Sequence, residues 1–329
     1  MKKRIFGKTG WEVTEVGFGT WNIGGAWGDV SDQEGYAAIH AALDGGINFL
    51  DTADVYGDGR SEQHIAKVLN ERNTDERIYV VTKAGRRLDP HTAEGYNKGN
   101  LEAFVERSRQ YLQQDTLDLV QLHCPPTDVY YNPVVFEALE DMIEKGWIRH
   151  YGVSVEKVEQ ALIALEYPGM VSVQIIFNML RQRPYELFFR QAQQENVAVI
   201  ARVPLASGLL SGKLTRQTTF PENDHRNFNR HGEAFDVGET FSGVPYERGL
   251  EAVDALREIV PEGVSMAQFA LRWILMHDAV TTVIPGSTKP GHIRANIDAA
   301  SLPPLTHEQM GAVRDIYDKY AREYVHMRW

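Results

Sequence analysis

The chain has 329 residues, 43% of them apolar and 24% charged, enough for a full hydrophobic core under a normal soluble surface. Its 34 Lys and Arg against 45 Asp and Glu leave a formal charge of −11, which argues against nucleic acid or an anionic membrane as a partner. The single cysteine, Cys124, excludes an internal disulfide and suits a reducing compartment. No uninterrupted apolar run approaches the ~18 residues of a membrane span. The opening MKKRIFGKTGWEV lacks an apolar stretch of secretory length, so a cytoplasmic protein is expected.

In chain order, RIFGKTGWEV reads as a small β-hairpin with a Lys-Thr-Gly turn, suited to plugging one end of a barrel. Eight short apolar strands follow: VGFGT (16–20), INFLD (47–51), RIYVVTK (77–83), DLVQLH (118–123), IRHYGVS (148–154), VSVQIIFN (171–178), VAVIARV (197–203) and VTTVIP (280–285). Runs this short and this apolar suit strands buried on both faces of a parallel sheet. Between them lie helical patterns: SDQEGYAAIHAALDGG, SEQHIAKVLNER, NLEAFVERSRQYLQQ, PVVFEALEDMIEKG, EKVEQALIALE, PYELFFRQAQQEN and MAQFALRWILMH. Strand–helix alternation argues for βαβ units, and eight of them fit a closed (β/α)8 TIM barrel better than an open doubly wound sheet. A single domain over residues 1–329 is expected, since no linker, repeat or low-complexity tract interrupts it. The polar stretch 204–245, between strands seven and eight, is too long for an ordinary connection and is expected to form a flexible lid. A last helix, HEQMGAVRDIYDKYAREY, precedes an exposed-looking VHMRW.

Strand exits of such a barrel converge on one face. Asp51, Lys83 and His123 each end one of three successive strands, and Tyr56 follows Asp51 in DTADVYG. A free phenol, with a pKa near ~10, is a poor acid at neutral pH. A nearby ammonium favours the phenolate, and Lys83 is the candidate, itself kept charged by Asp51. His123 would then orient or donate to a carbonyl oxygen beside the phenol. Each residue alone has a plainer role: a capping Asp, a packed Tyr, a snorkelling Lys, a locally bonded His. The shared position on three strands is what favours chemistry.

The blocks NFLDTADVYGDGRSE, VVTK, LVQLHCPP and GVS, together with GKTGWEV, GFGTW, ASGLLSGK and VIPGSTKPGHIRANI, resemble the aldo-keto reductase superfamily across nearly the whole chain. The resemblance implies NADPH-dependent reduction of small aldehydes or ketones, with Asp51, Tyr56, Lys83 and His123 as catalytic tetrad and Tyr56 as general acid. It also implies NADP(H) lying across the strand exits, near Thr20 and Trp21. Ser154 and Gln174 would bind the carboxamide. Pro204, Leu205, Ser207, Gly208 and Lys213 would grip the pyrophosphate through backbone N–H groups and the ammonium. Gly286, Thr288, Lys289, His292 and Asn296 would form the adenosine-phosphate pocket, where Lys289, helped by His292 or Arg294, would favour a 2′-phosphate.

Two positions depart from the family pattern. Arg202 stands where the family commonly stacks an aromatic ring on the nicotinamide. Its planar guanidinium can stack, and its charge is expected to favour NADPH over cationic NADP⁺ or to grip an anionic substrate or phosphate. Val155 replaces a commonly polar residue. Trp21, Trp27 and Tyr56 are candidates for the substrate wall.

Other readings are weaker. Cys124 adjoins His123, but neighbours in a strand point to opposite faces. GFGTWN begins like a dinucleotide fingerprint and fails at Asn22. A Schiff-base aldolase on Lys83 needs a neutral amine, which Asp51 opposes. A metal site from Asp51, Asp54 and His123 lacks a closely spaced histidine pair, and no metal is expected. A nicotinamide-binding regulatory or sensor subunit, with little turnover, is the non-enzymatic alternative.

Overall fold

The computed structural model describes residues 1–25, 27–72 and 76–329. Strands β1 (Lys3–Ile5) and β2 (Glu12–Thr14) pair antiparallel, Lys3 opposite Thr14 and Ile5 opposite Glu12. Eight parallel strands then follow in neighbour order: β3 (Phe18–Gly19), β4 (Phe49–Asp51), β5 (Tyr79–Ala84), β6 (Leu117–His123), β7 (Ile148–Ser154), β8 (Met170–Ile176), β9 (Ala198–Arg202) and β10 (Val280–Val283). The ring closes between its first and last strands through Gly17 N–H to Val283 O (2.8 Å) and Val283 N–H to Glu15 O (3.0 Å). A (β/α)8 barrel with an N-terminal hairpin is therefore the fold.

The GxG of GFGTW serves this closure. A Cβ on Gly17 would lie 2.9 Å from the Phe49 ring, and one on Gly19 2.8 Å from Ile284 O, so only glycine lets the seam close. Ordered β3 is correspondingly short, two residues where VGFGT suggested five.

Helices α1 (Asp32–Asp44), α2 (Arg60–Glu71), α3 (Lys98–Leu112), α4 (Pro133–Glu144), α5 (Val158–Ala164) and α6 (Phe188–Gln194) alternate with the strands. The chain continues through α7 (His225–Phe228), α8 (Tyr246–Arg257), α9 (Met266–Leu275), α10 (Pro290–Asp298), α11 (His307–Tyr320) and α12 (Arg322–Val325). Their starts follow sequence signals. Ser31 and Glu34 form a capping box on α1, as do Ser265 and Gln268 on α9, while α4 opens on Pro133 behind the Asn132 cap. No described helix is long and apolar enough to cross a membrane.

The two-residue period of a strand turns barrel filling into site building. Phe49, Val81, Leu119 and Ile200 pack inside the barrel with Phe6 and Val13 from the hairpin. Two residues further along the same faces come Asp51, Lys83 and Arg202, and four beyond Leu119 comes His123. The apolar half of the barrel thus aims a polar half at the strand exits.

Two expectations are corrected. The 204–245 stretch is packed onto the barrel: Asp224, His225, Asn229, Glu239, Thr240, Phe241 and Ser242 are all buried, and Asp224 forms a β-bridge with Trp27. Its polar residues make internal hydrogen bonds, as Asn229 does to the N–H groups of Ala234 and Phe235, which composition alone could not show. At the tail, Met327 is exposed, but Trp329 is buried under the Arg181 guanidinium, 4.3 Å from its ring centre.

Phe6 is fully buried in the hairpin plug. Phe6→Ala should lower the unfolding free energy by about 3–5 kcal/mol, read as a lower urea midpoint. An unchanged midpoint would mean the hairpin is not part of the barrel core.

Candidate active site

Three of the four expected catalytic residues sit at strand exits, and the loop after β4 brings the fourth to them. Lys83 is wholly buried, and its Nζ donates to Asp51 Oδ1 (2.6 Å) and Thr52 O (2.8 Å). The same Nζ lies 5.1 Å from the centre of the Tyr56 ring. Tyr56 and His123 meet edge to face, with ring centres 5.9 Å apart. The second oxygen of Asp51 accepts from Gln174 Nε2 (2.6 Å), and Gln174 also donates to Gln121 Oε1 (3.0 Å). Both Asp51 oxygens are committed, so Asp51 is an anchor for the amine and is not offered to a metal.

The electrostatics keep protons in definite places. Burial pushes the Tyr56 phenol well above its ordinary pKa, helped by the charges of Asp51 and Glu239 and opposed by Arg202 and Arg86. The phenol is therefore held protonated, which departs from the expectation that Lys83 would leave it readily ionised. Burial, with Arg86 and Lys83 nearby, drives His123 well below the usual imidazole range, so the ring is neutral. Burial also lowers Lys83, and Asp51 resists that shift through its charge and hydrogen bond. Cys124 is buried with its thiol pushed up to about 12, a packing cysteine rather than a nucleophile.

Beside Tyr56 lies a cavity of about 150 Å³. Among its lining residues, Trp21, Trp27, Tyr56 and His123 form one part, Ser154, Gln174, Arg202 and Glu239 another, and Pro204, Leu205, Ser207, Gly208 and Gly286 a third. Trp21 and Trp27 meet at right angles, ring centres 5.5 Å apart, and both pack on His225 of α7 at 4.7 and 4.4 Å. The packed 204–245 segment is thus a wall of the site.

The donor set fits a nicotinamide nucleotide. Gln174 Nε2 is committed to Asp51, which leaves its amide oxygen to face a carboxamide N–H. A Cβ on Gly286 would fall 2.2 Å from Asn22 Oδ1 and 2.8 Å from Gly19 O, so the backbone there approaches closely enough to cradle a ligand. Val203, Ala206 and Ser207 all hold positive φ (52°, 46° and 53°), strain of the kind concentrated at ligand loops. Lys289 caps the start of α10, and both its charge and that of Lys213 reach His292 and lower its pKa along with burial. Asn296 is buried on the same helix.

Three expectations need adjusting. Thr20 is fully buried, and its hydroxyl donates to Asp51 O (2.9 Å) and accepts from Ser61 (2.6 Å); it braces the strand exit and does not line the cavity. The N–H groups of Ala206, Gly208 and Leu210 bond to Val203 O and Leu205 O, so these three are spent inside the loop rather than on a phosphate. Arg202 is not free to grip an anion through its terminal nitrogens. Nη2 donates to Glu156 Oε2 and Val155 O (both 3.0 Å), and Nη1 lies 3.6 Å from Glu239 Oε1.

The partners of Arg202 were missed by sequence reasoning, as was Arg86, which joins Glu239 (2.9 Å) and Glu156 (3.3 Å). Glu156 directly follows the valine at which the family pattern breaks, the one local signal that could have drawn attention to it. Cys124, Glu156 and Glu239 are the group with metal-like spacing among the described residues, but both carboxylates are already paired with arginine.

A (β/α)8 barrel presenting a buried Lys–Asp pair, a protonated phenol and a neutral imidazole around one cavity defines an oxidoreductase site of one protein class. Residues 15–318 match the Aldo/keto reductase family, and the chain belongs to it. It is similar to the aldo-keto reductase YhdN of Bacillus subtilis, 30% identical over 87% of this chain and 85% of that one. Two solved structures are alike at 30% identity. They are the glycerol dehydrogenase AKR11B4 from Gluconobacter oxydans (TM-score 0.77, 97% and 95% covered) and the holo form of aldo-keto reductase AKR11C1 from Bacillus halodurans (0.75, 96% of both). Nucleotide complexes among the structural neighbours hold NADPH or NADP.

Asp54, in the same loop as Tyr56, is fully buried, and neither carboxylate oxygen has a hydrogen-bond partner among the described residues. Burial and the nearby charge of Glu62 raise its pKa from 3.8 to about 8. Between those values the folded chain holds a proton that the unfolded chain has released, so stability falls as pH rises through the window. The slope for one proton is at most about 1.4 kcal/mol per pH unit. Asp54→Asn should flatten the decline of the urea midpoint between pH 5 and 8. An identical decline in the variant would mean that another group causes it.

Proposed function

We propose that this protein reduces small aldehydes or ketones to alcohols with NADPH, Tyr56 giving the proton. The observation that carries the reading is the convergence of Lys83, Asp51, Tyr56 and His123 on one cavity, with the phenol protonated and the amine paired. Ser154 and Gln174 would hold a nicotinamide, which when bound would supply the hydride that the carbonyl carbon needs. Everything else falls to the chain's own side chains.

The carbonyl oxygen lies between the Tyr56 hydroxyl and the His123 ring. The neutral imidazole donates an N–H to that oxygen without competing as an acid, because burial and two neighbouring cations keep it unprotonated. Tyr56 holds its proton until negative charge develops on the oxygen. The phenolate it becomes on donating is met by Lys83, whose ammonium is 5.1 Å from the ring and fixed by Asp51. Such preorganised charge stabilises the transition state without reorganisation during the reaction. Gln174 and Thr52 hold the Asp51–Lys83 pair in place from either side. The indole walls of Trp21 and Trp27 exclude water and favour an apolar or aromatic substituent on the carbonyl.

The amine of Lys83 has two oxygen acceptors, which weighs against its acting as a Schiff-base nucleophile. For the adenosine end, the positive charges of Lys213 and Lys289, both felt at His292, support a 2′-phosphate and hence NADP(H) over NAD(H).

Tyr56→Phe should lower kcat for aldehyde reduction by about 10²–10⁴-fold while leaving the dissociation constant for NADPH within a factor of two or so; normal turnover in the variant would remove Tyr56 as the acid. Lys289→Ala should weaken NADPH about tenfold or more and leave NADH nearly untouched. Equal losses for both nucleotides would place the 2′-phosphate elsewhere.

A further inference from the structure

Below the cavity three guanidinium groups surround two carboxylates. Arg202 and Arg86 both pair with Glu156 and with Glu239, at 2.9 to 3.6 Å. Arg181 adds a third cation, donating to Glu156 O (3.0 Å) and to Ser242 O (3.3 Å). Arg181, Arg202, Glu156 and Glu239 are all buried, and Arg86 is largely so. The charge of Asp236 acts on Arg181 and the neighbouring Lys83–Asp51 pair is neutral as a unit, so what the cavity feels is set by the charges that line it.

Arg202 and Glu239 are the members of this cluster that line the cavity. Arg202 Nε is buried without a hydrogen-bond partner among the described residues. A hydride donor has to lie within about 3–3.5 Å of a carbonyl carbon whose oxygen faces Tyr56. In a cavity of about 150 Å³ that leaves the donor ring in the field of Arg202. The dihydronicotinamide ring is neutral and the nicotinamide ring is a cation. A guanidinium fixed at the cavity wall therefore acts on one redox state and not on the other.

We propose that Arg202 makes this site bind NADPH in preference to NADP⁺, and that Glu239, carried by the 204–245 segment, is the positioning residue that holds the guanidinium against the cavity and limits its charge. This rests on the reductase reading above. Glu239 and Arg202 oppose one another, so removing each should move the preference in opposite directions. Burial and the charge of Glu239 also push the Glu156 carboxyl upward, and a proton there leaves Arg202 less screened. The biological sense is a reductive bias: product nucleotide leaves readily, and the site is refilled by the reduced form.

Dissociation constants for NADPH and NADP⁺ on the full chain, measured by fluorescence quenching and calorimetry, test this without turnover. Wild type should bind NADPH about tenfold or more tighter than NADP⁺. Arg202→Tyr should shrink that ratio about tenfold, and Glu239→Gln, which keeps the side-chain shape, should enlarge it severalfold. Each tenfold change corresponds to about 30 mV in the potential of the bound two-electron couple. If Arg202→Tyr fails to fold, Glu239→Gln decides alone. A ratio unchanged in Glu239→Gln, or shifted the same way in both variants, overturns the inference. Binding with an unmoved ratio sinks only this inference, whereas a wild-type chain that binds neither nucleotide sinks the reductase reading as well.

Discussion

A lysine ammonium buried at the mouth of a barrel is the constraint around which the rest is arranged. Taking such a charge out of water costs several kcal/mol, and it is tolerated because Asp51 and the Thr52 carbonyl replace the lost solvent. Asp51 in turn needs a second donor, supplied by Gln174 from the far side of the barrel. Gln174 needs Gln121, and Gln121 donates to Ser172. Lys83, Asp51, Gln174, Gln121 and Ser172 form one connected network, and the placement of the amine is a consequence of keeping that network satisfied.

Much of this was readable in one dimension because strands impose a period of two. Phe49 with Asp51, Val81 with Lys83, and Leu119 with His123 are written in the sequence as alternate residues ending in a polar one, so the exits and their side chains could be named in advance. The glycines of GFGTW were visible but their purpose was not, since it depends on a strand more than 260 residues later. The bracing role of Thr20 was hidden for the same reason: only the fold brings Ser61 and the Asp51 carbonyl to its hydroxyl.

What stayed hidden was the ionic layer. Arg86, Glu156 and Glu239 come from three connections separated by 70 and 83 residues, and apart from the valine before Glu156 no local pattern distinguishes them from solvated surface charges. The 204–245 segment shows the same limit. Its polarity suggested freedom, whereas its polar groups are turned inward on one another and on Arg86 and Arg202. Trp329 is the extreme case, a terminal residue that packs beneath Arg181 and against the glycines of the same segment.

The barrel's seam has a further meaning. The first and last strands meet through a handful of main-chain bonds, and Gly19 with Gly286 border the cavity at that junction. A molecule lodged there touches both lips of the cylinder's thinnest join. Whatever occupies the cavity also acts as a clasp, tying occupancy to the mechanical integrity of the whole ring.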